Sequence, residues 1–440
     1  MAGEAGEPTK GGGRIEGGFD AIVIGASTDG LAAAALLGKA GLKTVLLGAG
    51  SAALDDERRE FAPGFFALDG ELVLSTLDPE LVDMLDLHRH GLGYAARRLE
   101  TVYFFDDGGA LLTEGDLYRT RESIAAMALE NAEAYADFVE AALDSARALR
   151  PFFEIEAAPP LSEALSGASE RFLADSVEDI TGAIFTDPHL QALIAAEASM
   201  RSAARPSDPF SFASLLRRWA GEAAGLQAAC AYPKDGAPGL RRALRRAAQA
   251  ANVDFRPSVS LTSVLVEGDS VAGVETSEGG QIRASIIVNA LSARQAFLDL
   301  VGPSVIDVEF QAALSAPEPE IASARVNFAL TGAPGDDRAR AHLSRRLVFA
   351  PSREQIRASY SAARRGEVEA PLVKEALAPS AFDPTLAPDN GIVVSAWAHP
   401  VPFTRENDSA LAEKVGEAAR QTFERIAPGA AGRVAAIDVR

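Results

Sequence analysis

The sequence predicts an α/β fold with two domains: one opened by a βαβ unit, and a second of α+β character that combines helices with an antiparallel sheet. Three patterns carry this expectation. Residues 19–25 and 43–47 are near-continuous apolar runs of strand length on either side of an alanine-rich helical stretch over 30–41, as in parallel strands covered on both faces and joined by a crossover helix. Residues 78–225 are mostly helical in period. Beyond 253, strand-like alternation and hairpin turns take over.

Residues 1–18 are Gly-rich, mix Glu with Lys and lack the apolar centre of a signal peptide, so they read as a flexible leader. The first strand, residues 19–25, runs into a tight turn at Gly25, and the second, residues 43–47, is followed by Gly48. In the helical region, residues 122–149 place Ile124, Met127, Leu129, Ala132, Tyr135 and Phe138 at helical spacing. Pro159 and Pro160 separate that helix from the next, and Pro188, Pro206 and Pro209 mark further turns. Residues 239–252 read as an Arg-studded amphipathic helix. Residues 253–289 read as strands turning at Gly268 and Gly279-Gly280, closed by an apolar strand over 285–289. Strands are then expected at 324–330, 346–350 and 391–398, and a last helix at 408–426. The resulting organisation is a discontinuous nucleotide-binding domain, 19–77 with 226–303, and a helical and antiparallel-sheet domain, 78–225 with 304–440.

A chain of 440 residues with 48% apolar and 24% charged residues and a mean hydropathy of +0.04 has the makeup of a globular protein. No stretch reaches the roughly 18 uninterrupted apolar residues of a spanning helix. A net charge of -20 repels phosphate backbones and argues against nucleic acid as a partner. The single cysteine, Cys230, has no partner for an internal disulfide and sits among alanines as a small buried residue would. A reducing, cytoplasmic compartment is the expectation.

The turn after the first strand reads Gly25-Ala26-Ser27-Thr28-Asp29-Gly30. A dinucleotide-binding βαβ uses G-x-G-x-x-G: the first glycine for the tight turn, the second so that backbone can approach the pyrophosphate, the third for close helix–strand packing. Gly25 and Gly30 keep the first and third positions. Ser27 stands at the second, where its side chain intrudes toward the phosphates, and Asp29 adds an anion one residue before the helix, competing with a phosphate for its N-terminus. Gly48 stands where an acid at the end of the second strand would accept hydrogen bonds from the ribose. A short-chain reductase turn, G-A-S-x-G-x-G, matches at first but fails at its last glycine.

Residues 19–25, 29–34 and 39–43 together closely resemble the opening of the phytoene-dehydrogenase-like flavoproteins, in particular the pyridine-nucleotide-disulfide-oxidoreductase-domain-containing group. Residues 60–65, 86–92, 231–236, 271–275 and 296–302 continue the likeness, which extends from about Phe19 to the C-terminus. The resemblance implies a Rossmann-like FAD/NAD(P)-binding domain of discontinuous segments with a substrate domain, hydride transfer from an apolar substrate to the flavin, and Val259 as the adenine neighbour. It also marks four departures: Ser27, Gly48, acids Asp55, Asp56 and Glu57 where paired glycines would pass over the diphosphate, and an end at Arg440 short of a glycine-rich segment that would return to the flavin.

The function expected from these departures is a family member that has lost tight FAD binding, with FAD absent or weakly bound, and that acts as a non-catalytic or scaffold subunit. Its partner would be a protein, a catalytic paralogue or a larger complex, with peripheral association to a membrane complex left open. The alternative is an active FAD- or NAD(P)-dependent oxidoreductase on an apolar substrate. Restoring glycine at 27 and glutamate at 48 is expected to raise FAD affinity modestly without turnover. No catalytic residue or metal ligand is assigned: His88 and His90 lack a third ligand and read as a polar helix end. The aromatic segments 103–105 and 210–212, with Trp219 and Trp397, read as core packing, against a substrate-tunnel alternative.

Overall fold

Every residue of the strands Ala21–Ile24 and Thr44–Leu47 is buried, which is what near-continuous apolar strands require of a sheet covered on both faces. In the computed structural model, which describes residues 15–48, 58–153, 167–315, 320–333, 342–404 and 408–440, these strands are the centre of a four-stranded parallel sheet. Its order is Asp254–Arg256, Thr44–Leu47, Ala21–Ile24, Ile286–Asn289. The crossover helix runs Thr28–Lys39, two residues earlier at each end than its alanine pattern indicates, because Ser27 caps it. Most of the leader, Pro159-Pro160 and the acids Asp55, Asp56 and Glu57 lie outside the described residues.

The chain divides into two compact units: Met1–Glu57 with Asp83–Gly91 and Leu240–Pro317, and Arg58–Val82 with Leu92–Gly239 and Glu318–Arg440. Residues 58–77 and 226–239 thus fall in the second unit, and 83–91 in the first. The first unit adds to its parallel sheet a small second sheet in which Leu261–Glu267, Ser270–Thr276 and Gln281–Arg283 form the expected meander and Ile15–Gly18 pairs at its edge. The Arg-studded helix runs Gly236–Ala250, and Asn252 just beyond it takes the left-handed conformation with φ of 58°.

The second unit is built on a seven-stranded sheet of order Val434–Val439, Ile321–Leu330, Ile392–Pro402, Val373–Leu377, Arg346–Ala350, Thr101–Phe105, Ala110–Thr113. All neighbours are antiparallel except Arg346–Ala350 with Thr101–Phe105. That parallel pair corrects the wholly antiparallel expectation. It arises because Thr101–Phe105 and Ala110–Thr113 belong to the region read as helical, where a short hairpin carries too few residues to show against the surrounding helices. One face packs Val326, Phe328, Val394 and Ala396 against Val415, Ala419 and Phe423 of the helix Ser409–Ile426. The other packs Val348 and Ala350 against Phe138, Phe212 and Leu215 of the helical layer.

The expected helix over 122–149 is two helices, Leu117–Ala128 and Ala132–Phe153, separated by a 3₁₀ turn at Leu129–Asn131. Asn131 explains the break: it is 5% exposed, and its side-chain amide donates to Thr186 Oγ1 at 3.0 Å and accepts from Thr186 N at 2.9 Å. Among the described residues no helix is long and apolar enough to cross a membrane.

Candidate functional site

The turn at Gly25 to Gly30 is shaped by what its glycines touch. Gly25 adopts φ of 103°, a conformation that favours glycine, and its N–H donates to Leu47 O at 2.8 Å. A Cβ at Gly30 would lie 2.0 Å from Gly25 O and 3.1 Å from Ala290 Cβ, so the helix sits on the strand as closely as a dinucleotide turn requires. Ser27 is exposed and extended, and its Oγ accepts from Gly30 N at 3.2 Å. The serine therefore has a local role as helix cap, and it takes one of the amides that a phosphate would otherwise meet. Asp29, also exposed, falls within the first helical turn, not before it.

Gly48 lacks more than a carboxylate. A Cβ built there would meet Pro257 O at 2.6 Å and Pro257 Cα at 2.8 Å, and Gly48 N donates to Arg256 O at 3.3 Å. The space an acidic side chain would enter is filled by backbone, which runs against the expectation that glutamate at 48, together with glycine at 27, modestly raises FAD affinity. Val259, two residues on, is half-buried and packs on the core of Ile22, Ile24, Val45 and Leu47. Gly25, Ser27, Gly30, Gly48 and Val259 all lie within the first unit. A dinucleotide would find the glycine turn in place, with one helix amide engaged, an anion in the first turn and, among the described residues, no acid at the ribose position.

The second unit contains a constellation that spacing did not reveal. Glu197, 4% exposed, receives Tyr103 Oη–H at 2.6 Å and Arg346 in a fork, Nη1 at 2.6 Å and Nη2 at 3.1 Å, and is also paired with Arg218 Nη2. Arg346 Nε in turn donates to Glu375. Burial by itself would raise the Glu197 pKa, but Arg346, Arg218 and the Tyr103 hydroxyl hold it at about 2. Burial and the neighbouring Glu197 push the Tyr103 phenol well up. Tyr103, Glu197, Arg218 and Arg346 line a cavity of about 220 Å³ together with Tyr135, Trp219 and Cys230. Cys230 is half-buried, and burial raises its thiol pKa. Of the aromatic segments, Tyr103 and Trp219 face this cavity while Phe105 and Phe212 pack in the core. A readable signal did exist: Glu197 is the lone acid in Pro188–Ala198, a helix whose residues from Ala192 to Ala198 are all buried. A buried charge implies a partner. Among the described residues, no group of three or more His, Cys, Asp and Glu could hold a metal ion.

The parallel sheet, the glycine turn and the second α+β unit make up a fold shared with solved oxidoreductases and amine oxidases. An oxidoreductase from Methanosarcina mazei superposes with a TM-score of 0.65 at 15% identity over 96% of this chain and 87% of that one. Putrescine oxidase bound to putrescine gives 0.60 at 14% over 96% and 84%. More particularly, the chain is similar to pyridine nucleotide-disulfide oxidoreductase domain-containing protein 2. The rat protein is 25% identical over 435 residues, covering 88% of this chain and 74% of the rat protein. The mouse protein is 25% identical over 487 residues, covering 97% and 82%. No protein-family model matches. The family resemblance read from the sequence is thereby borne out.

Proposed function

We propose that this chain keeps the FAD-dependent oxidoreductase fold without holding FAD tightly and serves as a non-catalytic subunit of a protein assembly. The observation that carries the first part is the filled position beside Gly48, where the Pro257 backbone stands in the place of a ribose-binding acid. Losing a hydrogen bond between a carboxylate and a sugar weakens binding by about 2 kcal/mol, more than tenfold. Engagement of the Gly30 amide by Ser27 adds to this. A protein partner is supported by apolar surface on the first unit: Phe297 and Phe310 meet edge to face at 4.9 Å, and both are exposed along with Val305 and Val308. Such a partner would be a catalytic paralogue or a larger complex.

The test is the visible spectrum of the protein purified without added flavin, followed by FAD titration. No stoichiometric flavin absorbance and a weak dissociation constant are expected. Stoichiometric, tightly held FAD would move the weight to the second reading, an active FAD- or NAD(P)-dependent oxidoreductase on an apolar substrate. That reading is favoured by the intact Gly25 and Gly30 turn and by the presence of a small-molecule-sized cavity in the second unit. For the assembly, purification from native cells with light scattering is expected to yield a stoichiometric companion chain rather than a lone 46.0 kDa species.

A further inference from the structure

The cavity of the second unit, about 220 Å³, has the volume of about seven waters at ~30 Å³ each, and its wall is of two kinds. Leu117, Val139 and Leu143 present apolar surface. Opposed to them are polar groups whose hydrogen-bonding capacity is unspent. Tyr135 is 7% exposed, yet its hydroxyl makes no hydrogen bond among the described residues. Arg218 uses Nη2 on Glu197, and its Nε and Nη1 have no partner among the described residues. Arg98 donates to neutral carbonyls, Gly115 O at 2.5 Å and Gln227 O at 3.4 Å.

The charges sharpen this. Glu197 and Glu375 are matched by Arg346 and Arg218, and Glu114 is paired with Arg119 at 3.4 Å. Arg98 is thus the guanidinium of this wall without a carboxylate among the described residues. These groups are open to the cavity rather than sealed in the core, Arg98 being exposed and Arg218 half-buried, so a ligand can reach them. Arg218 can only donate, the Tyr135 hydroxyl can donate to an acceptor beside it, and a positive charge goes unmatched next to them. The complement is an anionic acceptor on an apolar body.

We propose that this cavity binds a small organic carboxylate, its carboxylate facing the Tyr135 hydroxyl and Arg218, its apolar body on Leu117, Val139 and Leu143, and Arg98 balancing the charge. The proposal goes beyond the reading of the nucleotide turn and holds whichever way the FAD titration falls.

Hexanoate and phenylacetate, titrated into the purified full chain by calorimetry with Trp219 fluorescence as a second readout, test it. Saturable one-to-one binding is expected for at least one of them, with 1-hexanol at least tenfold weaker than hexanoate if the charge is recognised. Tyr135→Phe is expected to weaken the bound carboxylate about tenfold while leaving the thermal midpoint unchanged or higher, since the hydroxyl has no partner to lose. Arg98→Gln is expected to weaken it several-fold and to make binding less salt-sensitive. No saturable binding by either carboxylate, hexanol binding as well as hexanoate, or unchanged affinity in both variants would overturn the proposal.

Discussion

Gly48 ends its strand against the backbone of Pro257, so its lack of a side chain is a packing requirement as well as a lost ligand. Gly48→Glu is expected to lower stability by about 1–3 kcal/mol as overpacked sites do, read as a lower urea midpoint, and to leave FAD affinity no better. Ser27→Gly is a different matter: glycine caps a helix nearly as well, within a few tenths of a kcal/mol, and it releases the Gly30 amide. A several-fold gain in FAD affinity by fluorescence titration is expected for that single variant. Tighter FAD in Gly48→Glu at an unchanged midpoint would refute the Pro257 contact. Lys374 makes a separate residue-level case: it is 0% exposed, its Nζ has no partner among the described residues, and burial lowers its pKa to about 7 against a weaker opposing effect of Asp106. Lys374→Met keeps the volume and removes the orphaned amine, and is expected to raise stability at pH 7 by about 1–3 kcal/mol. Chemical denaturation of the two proteins side by side checks this.

The helix Thr28–Lys39 and the strand Ala21–Ile24 were legible because a parallel strand and an alanine-rich crossover leave long, unambiguous patterns. What makes them one element is Gly30, and Gly30→Ala, whose methyl would fall 2.0 Å from Gly25 O, is expected to unfold the first unit or push helix from strand. Loss of amide protection in the strand under hydrogen exchange would report it. The pair of helices around Leu129–Asn131 shows the opposite limit. Ile124, Tyr135 and Phe138 hold helical spacing across the break, so periodicity reads one helix, while Asn131 is tied to Thr186, 55 residues away, by bonds no local pattern encodes. Asn131→Ala is expected to cost about 1–3 kcal/mol by leaving Thr186 N unpaired.

For the whole chain, Glu197, His399 and Lys374 are among the buried groups that shape the pH dependence of stability, and His399, with a folded pKa near 4 against 6.5, adds a rise in stability between those values. Glu197 has a folded pKa near 2, below its ordinary 4.5, so its contribution is full above pH 4.5 and is lost as pH falls toward 2. Lys374 has a folded pKa near 7 against 10.5, so between those values the unfolded chain binds more protons and stability rises with pH. Denaturation midpoints across pH are therefore expected to climb from 2 to 6.5 and again from 7 to 10.5. In Lys374→Met the second climb should disappear, and a wild-type profile that is flat or falling there would contradict the burial of an unpaired amine.

The sequence by itself determined the α/β class, the βαβ opening, the glycine turn, the meander of the first unit and the family likeness. All of these rest on short-range periodicity and on residue types with strong backbone preferences. Tertiary structure decided the rest. Ser27 turned out to be a helix cap, Gly48 a contact with Pro257, and Asp29 a first-turn residue. The Glu197, Arg346 and Arg218 cluster emerged only when segments 149 and 21 residues apart converged. A cavity is defined by which side chains face one another after folding, and chain spacing carries no record of that when the partners come from separate helices and sheet strands.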